Sequence, residues 1–240
     1  MLPGSGSDEV FITSAFSRPL GAVGMRLVAP RPGSGGSVVH SYLAALDAAL
    51  EPDASTLVGG VSLGAQVAVV WAADRAARGL PGPGGLLLAL PAWTGSAGRA
   101  PAAVAARTTA EALCRGGLGA TLAQTRAAVP VWLGDELARA WTRHGDGLAD
   151  SFTTAAGTPG PAPEELTTLR MPAGLVGLAD DPVHPLQVAQ YWGALLPRSA
   201  LVTATLAATG RDPETLGRAA TLAWLRAISQ DGTAGAAGGV

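Results

Sequence analysis

Short apolar runs return along this chain at 10–14, 25–29, 56–61, 85–90, 173–178 and 201–206, with stretches of helical periodicity between them. That alternation predicts a largely parallel sheet, because strands pointing the same way need a long crossover, which a helix supplies. Helices are legible at 38–50, 65–78, 186–196 and 213–228, the first behind a Ser37 cap and the last behind Asp212, with Pro213 at its first position. Connected this way, an α/β sheet flanked by helices places its ligands at the carboxyl ends of its strands.

The rhythm breaks between 93 and 168. This long, mainly helical insertion carries Trp93, Trp132 and Trp141, with helical pieces expected at 100–115, 118–128 and 131–143 and a Pro- and Gly-rich return at 157–163. The expected organisation is a core of 1–92 and 169–229, a helical cap insertion at 93–168, and a tail at 230–240 with too little apolar bulk to offset its ordering entropy. Residues 1–8 also read as a loose end. With 240 residues and 48% hydrophobic content, one large α/β domain with an insertion has enough apolar surface for its core.

The run at 56–61 feeds directly into Gly60-Val61-Ser62-Leu63-Gly64 and then into an apolar helix. A Gly-x-Ser-x-Gly match carries little weight in a chain with 33 glycines, but a strand before it and a helix after it are the setting in which a serine is bared on a sharp turn. The glycines have a steric purpose, since such a turn brings neighbouring backbones too close for a Cβ. Ser62 is therefore the first candidate nucleophile, at the end of a strand where a ligand would sit.

Composition narrows the partners. All sixteen basic residues are Arg, scattered from Arg18 to Arg226, and the formal net charge is −2, so there is no electrostatic footprint for nucleic acid or an anionic membrane. A small, neutral or hydrophobic ligand fits better. No apolar run approaches the roughly 20 residues needed to span a bilayer. The lone Cys114 excludes an intrachain disulfide and reads as a small buried hydrophobe. The first residues lack the basic and apolar parts of a signal peptide, so a cytoplasmic location is expected. No cofactor and no metal ligand set are expected.

Taken together, these segments resemble the α/β-hydrolase superfamily, the group of esterases, thioesterases, lipases, epoxide hydrolases and dehalogenases built around a nucleophile elbow. The likeness spans nearly the whole chain. Residues 25–37 look like the family's strand and glycine-rich loop, although Arg31 stands where an Asp is usual. Residues 175–185 resemble its late strand and acid loop, in which Asp181 fits the Asp-Pro-x-x-Pro spacing better than Asp180. The resemblance implies Ser62 as nucleophile, Asp181 as acid and backbone N–H groups of Leu63 and Phe16 as the oxyanion hole. Phe16 is assigned because residues 13–16 match the place where the family's first strand ends in His-Gly.

The general base is where the pattern departs. The family's histidine follows the last strand, commonly as Gly-His, and here that place reads Gly210-Arg211. Arginine stays protonated and cannot accept a serine proton. The sequence thus offers a nucleophile and an acid without their usual intermediary, an incomplete catalytic triad. Substitutes are sought among His40, His144 and His184. His184 lies close to its own acid in a loop that should approach the site, His144 could swing over Ser62 from the cap, and His40 reads as a surface or packing residue.

Three functions follow from the resemblance. The first is a serine esterase or thioesterase with an atypical base; the second is an inactive hydrolase-fold protein that binds a hydrophobic molecule or partner, with Arg211 paired to Asp181. The third is a lyase or cyclase using the same pocket without an acyl-enzyme. Trp93, just after a strand end, is the candidate pocket wall, whereas Trp141 reads as packing.

Overall fold

The computed structural model describes residues 1–50 and 56–236. Four strands, β1 (Leu57–Val61), β2 (Gly85–Ala89), β3 (Ala173–Leu178) and β4 (Ser199–Ala204), form one parallel sheet in the order β1-β2-β3-β4. In chain order the helices are α1 (Glu9–Gly21), α2 (Val38–Ala49) and α3 (Leu63–Ala77), then α4 (Pro101–Ala128), α5 (Val131–His144), α6 (Leu148–Gly157) and α7 (Pro163–Thr168) between β2 and β3. After β3 come α8 (Leu186–Leu195), α9 (Leu206–Arg211) and α10 (Glu214–Ala236).

The sheet is covered on both faces, which is why β2 and β3 read as unbroken apolar runs. Successive side chains of a strand point to opposite faces. Leu86 and Leu88 accordingly join Tyr42, Trp71 and Trp192 of α2, α3 and α8 on one side. Leu87 and Ala89 join Phe16 of α1 and Leu216 and Ala220 of α10 on the other.

Residues 10–14, expected as a strand, are helical. Asp8 caps α1 by accepting the N–H groups of Val10 (3.0 Å) and Phe11 (3.2 Å), and Ile12, Phe16 and Leu20, four positions apart, form its buried stripe. The cap and the stripe prevail over the strand-like local composition. Residues 25–29, also expected as a strand, lie outside the sheet, with Met25 and Leu27 packed against the cluster on the α1 face. The edge of β1 is instead taken by Leu2, whose N–H donates to Gly59 O (2.8 Å) and whose carbonyl accepts from Val61 N (3.0 Å). Leu2 is 1% exposed, so the first residues are not a loose end. At the other end α10 continues through Ala236, where a frayed tail was expected from 230; residues 237–240 lie outside those described.

Within the insertion, Gly117 (φ 71°, ψ 179°) breaks α4 into two pieces that match the expected 100–115 and 118–128, while α6 had no counterpart in the sequence reading. The insertion is tied to the core by charge. Arg139 of α5 donates to both Asp8 oxygens at 2.8 and 2.7 Å, and Arg143 lies 3.2 Å from the same carboxylate. Burial opposes the Asp8 charge, but the Arg139 hydrogen bonds and charge and the N–H groups of Phe11 and Val10 hold its pKa below the ordinary carboxylate value. Cys114, expected to be buried, is exposed. Among the described residues no helix is long and apolar enough to cross a membrane.

Candidate active site

β1 ends at Val61 and α3 begins at Leu63, which leaves Ser62 alone as the turn between them. Its backbone sits at φ 53°, ψ −113°, a conformation that costs a non-glycine residue about 1–3 kcal/mol. The turn is fixed by Ser62 N donating to Ala89 O (2.9 Å) and by Gln66 N donating to Ser62 O (3.1 Å). Both motif glycines are needed. A Cβ on Gly60 would lie 2.5 Å from Leu2 O and 2.6 Å from the Gly64 carbonyl carbon, and one on Gly64 would lie 2.4 Å from Leu2 O.

The loop after β3 brings an imidazole to this serine. His184 Nε2 is 2.9 Å from Ser62 Oγ, and His184 Nδ1 is 2.9 Å from Asp181 Oδ2. Asp181 Oδ1 accepts the N–H groups of Val183 (2.8 Å) and His184 (3.1 Å), which curls the loop until the imidazole meets its own acid. An ionised carboxylate only accepts, so Nδ1 carries the proton and Nε2 is left to accept from the Ser62 hydroxyl. Burial raises the Asp181 pKa, but the His184 hydrogen bond and charge, with the two main-chain donors, hold it below the ordinary value.

This corrects the expectation that the constellation lacks an intermediary. The residues after β4 do not form a loop towards Ser62; they form α9. A Cβ on Gly210 would lie 2.2 Å from Trp132 Nε1, so this glycine seats an insertion side chain, and Arg211 is exposed. Among the described residues no ion pair joins Arg211 to Asp181, whose partner is His184. His144 is held elsewhere, its Nε2–H donating to Ser7 O (2.8 Å), and His40 is exposed on α2. Asp180 turns away to accept from Leu206 N (2.6 Å).

Of the two residues expected to supply backbone donors, Leu63 adjoins Ser62 at the start of α3, and Phe16 lies inside α1. Leu63 opens α3, where an N–H has no intrahelical acceptor and lies at the positive end of the helix dipole. Phe16 is wholly buried midway along α1, where its N–H is taken up within the helix. The loop that does pass Ser62 is the one leaving Leu2. A Cβ on Gly4 would lie 3.4 Å from Ser62 Cβ, and Ser7 N donates to Gly4 O (3.1 Å), a turn in which the Ser5 N–H takes no part. The sequence pointed to residues 13–16 for this loop, whereas Pro3-Gly4-Ser5 reaches Ser62 only through the long-range pairing of Leu2 to β1.

Ser62, His184 and Ser5 line one cavity of about 420 Å³ to which α4, α5 and α6 also contribute. Trp93, 6% exposed, forms part of its wall directly after β2. Trp141 also reaches it while packing edge-on against Phe152 (centroids 5.5 Å apart, 79° between planes). Among the described residues there is no group of three or more His, Cys, Asp and Glu placed to hold a metal ion.

No protein-family profile matches the chain. No curated protein matches it by sequence. Solved structures do. An esterase from Thermogutta terrifontis aligns over 94% of this chain and 88% of its own with TM-score 0.69 at 18% identity. MenH from S. aureus aligns over 90% and 88% with TM-score 0.65 at 15% identity. The enol-lactonase from Burkholderia xenovorans aligns over 85% and 81% with TM-score 0.58 at 14% identity. At such identities what is shared is the fold.

Proposed function

We propose that this chain, which has the α/β-hydrolase fold, is a serine hydrolase acting on an ester, thioester or similar carbonyl. The observation that carries this is the continuous path Ser62 Oγ–His184 Nε2, His184 Nδ1–Asp181 Oδ2, with both steps at 2.9 Å. Nucleophile, base and orienting acid within hydrogen-bond reach are the geometry nucleophilic acyl transfer needs.

In the proposed reaction Ser62 Oγ attacks the carbonyl carbon while its proton passes to His184 Nε2. Asp181 keeps the imidazole in the accepting tautomer and stabilises the imidazolium that forms. Negative charge developing on the carbonyl oxygen is met by the N–H groups of Leu63 and Ser5. Collapse of the tetrahedral intermediate breaks the bond to the alcohol or thiol, which leaves with the proton from His184. Water then gives a proton to the same nitrogen and attacks the acyl group on Ser62; the second tetrahedral intermediate breaks the Oγ–acyl bond, His184 returns that proton to Ser62 Oγ, and the acid is released.

Hydrolysis of p-nitrophenyl esters, compared between the parent and Ser62→Ala, tests this: turnover in the parent and its loss in the variant are expected, and equal rates would overturn it. The alternative of an inactive binding protein was motivated by an Arg211–Asp181 pair, and with Asp181 bonded to His184 that motive is gone. A lyase or cyclase reaction would leave Ser62 unmodified during turnover, which trapping of an acyl-enzyme distinguishes.

A further inference from the structure

The cavity also restricts what can occupy it, on the basis that Ser62 is a nucleophile. On one side α4 turns Ala102, Ala105, Ala106 and Thr109 towards the space, positions spaced along one helical face, so that side bears little bulk. Leu133 and Leu137 of α5 also line it, as does Trp132, whose indole is seated on Gly210 of α9. A volume of about 420 Å³ is far more than an acetyl group fills and lies in the range of sites that enclose a whole small molecule.

Charge is nearly absent from this lining. None of the lining residues is an Arg, and the chain has no Lys. Apart from Asp181, the one carboxylate is Glu136, and both its oxygens are taken by Arg139, which is itself bonded to Asp8. A ligand carboxylate here would lose its hydration with no cation to meet it, which is strongly unfavourable.

We infer that the site accepts uncharged esters whose acyl group is apolar and longer than acetyl, and that Ala105 and Trp132 determine the chain length. Each methylene buried between α4 and α5 raises kcat/KM about fourfold until the chain meets Trp132. Ala105→Phe fills the space and moves the optimum to shorter chains; Trp132→Ala opens the end and moves it to longer ones.

The test is a p-nitrophenyl series from acetate through octanoate, together with the mono-p-nitrophenyl ester of adipic acid as a charged analogue of hexanoate. Expected are a rise of at least tenfold in kcat/KM from acetate to hexanoate, an adipate ester at least tenfold poorer than hexanoate, and opposite shifts in the two variants. Acetate as the best substrate, an adipate ester equal to hexanoate, or an unchanged order in both variants would overturn the inference while leaving Ser62 chemistry intact. Absence of both ester turnover and fluorophosphonate labelling would instead remove the hydrolase. Nile red binding then decides the cavity: affinity in the parent and Ser62→Ala that falls tenfold in Ala105→Phe supports it, and no binding overturns it.

Discussion

Asp181 and His184 stand three positions apart in one loop, yet their side chains meet at 2.9 Å, and the far nitrogen of the same imidazole reaches Ser62, 122 positions earlier in the chain. Carboxylate and imidazole are therefore carried by a single turn behind β3, while the segment behind β4, where a histidine was expected, is a short helix packed under Trp132. That arrangement has consequences that can be measured.

His184→Ala should lower kcat/KM by a factor of about 10²–10⁴, the usual loss when a general base is removed. Arg211→Ala, a change at an exposed position, should leave it within about twofold. Arg211→His should bring no gain, because the place beside Ser62 Oγ is already taken. Steady-state ester hydrolysis by the three variants checks this.

Asp181 should give the fold an acid-sensitive increment of stability. Its folded pKa lies below the ordinary value, about 3.9 for an unfolded Asp, so the unfolded chain binds more protons between the two values and stability rises with pH there. The contribution is fully present above about pH 5 and is lost as pH falls through the depressed folded value. In thermal melts from pH 7 down to pH 3, the Tm gap between the parent and Asp181→Asn should narrow in the acid range.

Asp8→Ala should destabilise the protein by about 2–4 kcal/mol, since it removes the α1 cap and one of the two carboxylates that Arg139 binds through both oxygens. Arg139 is a third exposed, which keeps the cost towards the lower end. Asp8→Asn retains an acceptor for Val10 and Phe11 and should cost less. Urea denaturation of the two variants separates the cap from the ion pair.

Gly64→Ala should destabilise by about 1–3 kcal/mol, although the same change at an open helical site would stabilise. The added Cβ would meet Leu2 O at 2.4 Å and Pro3 O at 2.7 Å, pushing apart the two backbones that flank Ser62. Equilibrium unfolding gives the sign directly.

What could be read from the chain followed local physics. β2 and β3 were legible because a strand buried on both faces leaves an uninterrupted apolar run, and Ser62 because its glycines mark a turn with no room for a Cβ. What escaped depends on contacts between distant segments. The run at 10–14 looks like a strand until Asp8 is seen as a cap. Leu2 looks like part of a frayed end until Gly59 and Val61 pair with it, and that pairing is what brings Gly4 beside Ser62. In the sequence His184 is one of three histidines and lies three positions from Asp181; the two N–H bonds to Asp181 Oδ1 are what turn that nearness into contact.

The most direct test of Ser62 as nucleophile is labelling of the intact protein with a fluorophosphonate, followed by mass spectrometry of the modified peptide. One adduct per chain is expected, on Ser62, absent in Ser62→Ala and formed at least tenfold more slowly in His184→Ala. An unlabelled protein, or an adduct that persists in Ser62→Ala, would contradict the assignment.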